Sequence, residues 1–268
     1  MSSYVEELEK SFIKNIKKYR FFDANCWIGK TNNLGPQCLY TVDDLTNYMG
    51  YCGINKALVC HHLARYYHPL VGNELLMEEI SGRSNLLGCF VLLPPGTGEL
   101  GNVEDYIIKM LEQGVRAVRL FPKTHTFSLE EWSADTLLKA LERHRIPLFL
   151  WHRETDWHTI HRICSNYTGI PVILEQCDDE TFWEGRQIFP LMEACGNLHI
   201  SVHNCSLYKE LDELVSRFNE DRIIFGTYYP VDDPHASLML VTEGEFSSET
   251  KEKIAHGNLE NLLNRVLL

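Results

Sequence analysis

The chain has 268 residues, enough for one large domain or two small ones, and its 44 % hydrophobic and 23 % charged residues are an ordinary globular balance. A net charge of −12, with basic residues clustered only at Lys17-Lys18-Tyr19-Arg20, would repel a phosphate backbone and argues against nucleic-acid binding. No apolar stretch is long enough to span a bilayer, the acidic start MSSYVEELEK is no signal peptide, and nine cysteines lie outside any CxxC spacing, which together predict a cytoplasmic chain of reduced thiols with no membrane partner.

In chain order, residues 4–19 predict a helix lying across one end of the elements that follow. Eight short apolar, β-branched or aromatic runs then read as strands: Phe21–Ile28, Ala57–Cys60, Leu86–Leu93, Val115–Phe121, Pro147–Trp151, Val172–Leu174, Leu198–Val202 and Ile223–Phe225. Most are nearly continuous in apolar residues, as strands buried on both faces require. Between them the pattern turns helical. Thr41-Val42-Asp43-Asp44 opens a helix whose Leu45, Tyr48, Met49 and Cys52 share a face, and Gly53 ends it. Ser128-Leu129-Glu130-Glu131 reads as a capping box, and segments 103–113, 156–166, 180–195, 207–218 and 249–263 follow the same logic. Strand and helix in alternation imply parallel strands with crossover helices. Eight such units in about 250 residues predict an α/β chain closed into one (β/α)8 TIM barrel over residues 1–268, with 1–19 as an N-terminal helical extension. No Gly-x-Gly-x-x-Gly follows a strand and Gly96-Thr97-Gly98 is a loop, so a dinucleotide-binding fold is disfavoured.

In such a barrel the chemistry gathers at the C-terminal ends of the strands. Those ends carry Asp23-Ala24-Asn25-Cys26-Trp27-Ile28-Gly29, Cys60-His61-His62, Leu92-Leu93-Pro94-Pro95, Arg119-Leu120-Phe121-Pro122, Trp151-His152-Arg153, Leu174-Glu175-Gln176, Val202-His203-Asn204 and Gly226-Thr227-Tyr228-Tyr229-Pro230. This succession resembles the amidohydrolase-related family that includes small-acid decarboxylases, hydratases and lactonases, from about residue 20 to residue 264. The family's first strand reads Asp-x-His-x-His-x-Gly and its last ends in Phe-Gly-Ser-Asp-Tyr-Pro. Here Asp23 to Gly29 and Phe225 to Pro230 stand in those places, Gly114 to Leu120 fits the fourth strand, and Gly257-Asn258-Leu259-Glu260-Asn261-Leu262-Leu263 resembles the closing segment.

The resemblance implies a metal site of two first-strand histidines, a histidine after strand five and an aspartate after strand eight, with a proton-carrying histidine after strand six. In this chain those positions hold Asn25, Trp27, His152, Tyr228 and Gln176, so only His152 matches. Tight divalent sites need three or four good donors, and the expectation is therefore no metal and no cofactor. His61, His62, His68, His203, Cys177, Glu175 and Asp178 are candidates for a relocated site by residue type alone, and the stronger reading is against one: consecutive His61 and His62 should point to opposite sides, and His68 lies in a loop. Alternation should carry Asp23, Asn25 and Trp27 to one face of the first strand. A polar mouth lined by Asn25, Trp27, His152, Gln176, His203 and Tyr228 follows if that face is the interior.

Within that mouth each residue has two readings. Arg119 either grips a substrate carboxylate or pairs internally with Asp23 or Glu175. Trp27 either stacks on substrate or fills the space left by metal and histidines. His152 is either a general base or a retained polar group bonded to Tyr228 or Asn25, with His203 a weaker case of the same kind. The expected function is a metal-independent hydrolase or lyase of a small carboxylate- or lactone-type substrate: His152 as base, Tyr228 and Asn25 stabilising charge, and Arg119, Trp27, Gln176, His203 and Glu175 around the substrate. The alternatives are a non-catalytic binding protein and a hydrolase with a relocated metal. The related proteins also admit a homodimer.

Overall fold

The computed structural model describes residues 3–30, 39–175, 185–203, 205 and 209–268. Its strands are β1 (Phe21–Ile28), β2 (Ile54–His61), β3 (Leu86–Gly88), β4 (Phe90–Val91), β5 (Val118–Leu120), β6 (Leu148–Trp151), β7 (Val172–Glu175), β8 (Leu198–Ser201) and β9 (Ile223–Ile224). All pair in parallel with their sequence neighbours, from β1 to β3 and from β4 to β9. The third expected strand is thus two pieces. Cys89 is the pivot between them: its N–H donates to Val59 O (2.8 Å), and the next N–H, that of Phe90, donates across to Ala117 O (3.1 Å). On the other side Ala24 N donates to Phe225 O (3.0 Å) and Trp27 N to Tyr229 O (2.8 Å), which joins the first strand to the last. The chain is a (β/α)8 TIM barrel.

Strand alternation sorts the core into two layers. Phe22, Ala24, Leu58, Cys60, Val91, Ala117, Phe149, Ile173 and Ile224 fill the barrel, while Phe21, Ile28, Val59, Val118, Leu120, Leu150, Val172, Leu174 and Ile200 pack outward against the helices. An N-terminal helix spans Ser3–Ile16, and the helix Val42–Cys52 carries a complete capping box at Thr41 and a left-handed Gly53 at its end. The capping box expected at Ser128 does not form. Its helix starts at Glu131 with Glu130 as cap, and Ser128 Oγ instead accepts a hydrogen bond from Glu130 N (3.1 Å), a tighter local turn. Two helices had no clear sequence signature, Pro69–Glu79 and Pro234–Thr242; both begin with proline in the first turn and lack a segregated apolar face.

Candidate active site

The mouth begins with an irregularity in β1. Asp23 lies opposite Ala57 and Cys26 opposite Val59, so β1 advances three residues while β2 advances two. This bulge inverts the alternation. Asn25 and Trp27 turn into the barrel, whereas Asp23 does not share their side, which corrects the expectation of one common face. Asp23 instead fastens the seam: its carboxylate accepts from Thr227 N (3.0 Å), Thr227 Oγ1 (2.5 Å) and Asn25 N (2.9 Å). Burial raises its pKa above the usual carboxylate range, and the bonds from Thr227 and Asn25 work against that rise.

Arg119, inward-facing on β5 and wholly buried, is the hub of the mouth. It grips Glu175 of β7 in a fork, Nη2 to Oε1 (2.7 Å) and Nε to Oε2 (3.3 Å), and Nη2 also donates to Ala24 O (2.9 Å) and Asn25 Oδ1 (3.3 Å). Of the two readings weighed for Arg119, the internal pair with Glu175 is the one formed. Asn25 Oδ1 takes a second donor, Trp27 Nε1, at 2.7 Å. The Trp27 ring lies 5.3 Å from the Arg119 guanidinium and stacks on His62 with centroids 5.0 Å apart. Trp27 therefore fills the interior, and it is only 2 % exposed.

His62 opens the short helix His62–Tyr66 after β2 and faces Trp27, while His61 turns the other way, its ring against Gly29 and its Nε2 3.8 Å from Glu79. Burial first, then the charges of Arg65 and His61, push the His62 pKa down to about 3. His152 sits at the end of β6 and stacks on Trp157 (5.2 Å, 8° between planes). Its ring bonds the backbone of Glu175. Burial, then Arg153 and Lys123, lower its pKa to about 4, so the imidazole is neutral at physiological pH. Across the mouth His203 lies 5.4 Å from the Tyr228 ring, and its Nε2 is 3.0 Å from Asp232 Oδ2. Gln176, Cys177 and Asp178 lie outside the described residues.

Sequence reasoning missed the layer above this. Arg65 spans the mouth to Glu154 (Nη2 to Oε1, 3.1 Å), and Glu154 also accepts from Thr124 N (2.8 Å) and Thr124 Oγ1 (2.6 Å). Both partners are buried, at 6 % and 5 % exposure. Arg65 comes from the short helix after β2 and Glu154 from the turn after β6, so no local spacing could have announced them.

A sequence profile of the amidohydrolase family matches residues 68–265, and the chain belongs to that family. No curated protein sequence matches it. Among solved structures it is similar to 2,6-dihydroxybenzoate decarboxylase from Rhizobium (13 % identity, 92 % of this chain and 99 % of that one, TM-score 0.69). It is also similar to a dihydroxybenzoic acid decarboxylase from Polaromonas with bound manganese and the inhibitor 2-nitroresorcinol (12 %, 92 % and 97 %, TM-score 0.68). A third is a chain assigned as a 2-pyrone-4,6-dicarboxylic acid hydrolase from Pseudomonas putida (13 %, 92 % and 98 %, TM-score 0.64). At such identities the likeness carries the barrel and nothing finer.

Among the described residues, those at the mouth do not fit a divalent ion. An indole N–H only donates, and the one candidate oxygen on β1, Asn25 Oδ1, already accepts from Trp27 and from a guanidinium cation. Among the described residues no group of three or more His, Cys, Asp or Glu is arranged to hold a metal.

Proposed function

We propose that this protein acts on a small carboxylate- or lactone-type molecule at the barrel mouth without a divalent metal, with His152 as general base. The observation that carries the reading is the exchange at the mouth. Where the family's metal ligands would stand, Asn25 and Trp27 are hydrogen-bonded to each other and Asn25 to Arg119, while a neutral imidazole remains at the end of β6. A neutral imidazole can take a proton from water or substrate. Arg119 is committed to Glu175 and serves as the fixed cation that shapes the site, not as the grip on substrate. Tyr228 and His203, with Asp232 behind the latter, supply hydrogen-bonding groups on the opposite wall.

The test replaces His152 by Ala and assays a panel of lactones and small carboxylic acids. Loss of about 10²–10⁴ in kcat is expected with the fold retained. Because the base must be unprotonated, wild-type kcat/KM should stay level through the neutral range and fall in acid with a midpoint of about 4. Undiminished turnover by the variant, or a midpoint near 6.5, would remove His152 from the mechanism.

One observation favours a second reading, a non-catalytic binding protein. Trp27, His62 and Arg119 close the mouth at 2 %, 2 % and 0 % exposure, and a packed entrance suits a ligand held rather than turned over. Ligand-induced stabilisation without turnover across the same panel would support it.

A further inference from the structure

His61 and His62 stand back to back at the end of β2, and His61 is the one turned away from the mouth. Its ring lies against Gly29, which follows β1 with a left-handed backbone (φ +86°). A Cβ on Gly29 would sit 2.4 Å from the ring's Cε1 and 2.5 Å from its Nε2, so only glycine admits the imidazole here. Nδ1 accepts a hydrogen bond from Leu63 N (3.0 Å). The ring is thus held in one orientation, and it is 2 % exposed.

That clamp also fixes the proton. Burial lowers the His61 pKa to about 4, so the ring is neutral at physiological pH. An Nδ1 that accepts carries no proton, and the single N–H is therefore on Nε2. It faces Glu79 Oε2, at the end of the helix Pro69–Glu79, across 3.8 Å. The gap is too long for a direct hydrogen bond and wide enough for one bridging oxygen. Both groups open on one cavity of about 450 Å³, which Gly29, Lys30, Asp43 and Arg83 also line. That volume suits a small molecule. Two cations stand against two carboxylates, and Arg83 is already paired with Asp43 (2.5 Å), so the walls carry no net charge that would select an ion. The bridging atom must accept from the His61 N–H and donate to the Glu79 carboxylate. A carboxylate cannot donate and an ammonium cannot accept; a hydroxyl does both.

We propose that this cavity is a second binding site, separate from the mouth, for a small neutral polyhydroxylated molecule, a polyol or monosaccharide, one hydroxyl of which bridges His61 Nε2 and Glu79. Lys30, Arg83 and Asp43 line the same space and face the remaining hydroxyls. The site does not depend on the chemistry at His152.

The test titrates xylitol, D-glucose and myo-inositol by calorimetry into the wild type, Glu79→Leu, Glu79→Gln, Glu78→Leu and His152→Ala, with circular dichroism checking each fold. Fully O-methylated D-glucose, whose oxygens accept but cannot donate, is the control. At least one of the three should bind the wild type saturably, and Glu79→Leu should weaken it by about tenfold or more, the order of one hydrogen bond to a charged group. Glu79→Gln keeps an acceptor and should weaken it less. Glu78→Leu and His152→Ala should bind as the wild type does, and the methylated sugar should not bind. In isotope-labelled wild type, the bound polyol should shift the imidazole nitrogen signal of His61. No saturable binding by any of the three means that water alone bridges the pair, and overturns the proposal. Equal affinity in wild type and Glu79→Leu overturns it as well, and so does loss of binding in His152→Ala, which would move the polyol to the mouth. A His61 signal that stays in place at saturation overturns it whatever the variants do.

Discussion

Arg119 and His62 show how much a buried polar side chain depends on what faces it. Arg119 carries a full positive charge in a dry interior, which is tolerable because Glu175 and two further oxygens surround it. Replacing it with Met should leave Glu175 buried and uncompensated and cost about 3–5 kcal/mol, read from urea unfolding of the variant against wild type. His62 is the opposite case: a buried ring with no hydrogen-bond partner. His62→Phe keeps a flat ring against Trp27 and removes two unsatisfied nitrogens, so the melting temperature should rise. A lowered melting temperature would show that the imidazole is satisfied in solution. Of the site, the sequence offered His152, Asn25, Trp27 and Arg119 by position on their strands. It could not offer Arg65, Glu154 or Thr124, whose meeting joins three segments separated by tens of residues.

The element that governs the mouth is β1 with its bulge. One extra residue between Asp23 and Cys26 sends Asn25 inward to Arg119 and frees Asp23 to bind the segment after β9. Without the bulge, period-two alternation would put Asp23 on the same side as Asn25 and Trp27. Asp23→Ala would orphan Thr227 N, Thr227 Oγ1 and Asn25 N together. We expect a loss of at least about 2 kcal/mol and faster amide exchange along β1 and at Thr227, measurable by hydrogen exchange. The bulge was not legible in advance, because Phe-Phe-Asp-Ala-Asn-Cys-Trp-Ile contains no glycine or proline to mark it. The register is set by the strands on either side.

At the scale of the whole molecule, His61, His62, His152 and His199 are buried in neutral form. Burial lowers the pKa of His61, His152 and His199 to about 4 and that of His62 to about 3. In the unfolded chain each would titrate near 6.5, so between that value and about 4 the unfolded state binds more protons. Stability should therefore be complete above about pH 6.5, fall as the pH drops through the window to about 4, go on falling through His62 to about 3, and cease to depend on these groups below that. Melting temperatures measured from neutral pH down to pH 4 would check this. A flat profile across that window would mean the imidazoles are already protonated or solvent-exposed in the folded state. No helix among the described residues is long and apolar enough to cross a membrane.

The sequence by itself determined the barrel. Short runs apolar on both faces alternate with amphipathic helices, a period that local chemistry imposes and that survives the loss of every ligand but one. It also set the expectation that the family's metal is not held, since donor type is written residue by residue. Tertiary structure alone decided what replaced it. A guanidinium is held by the oxygens brought to it, and only the folded barrel brings Glu175 on β7 to Arg119 on β5 and Glu154 to Arg65. The sequence left Arg119 between a substrate carboxylate and an internal partner; burial and pairing give it to Glu175.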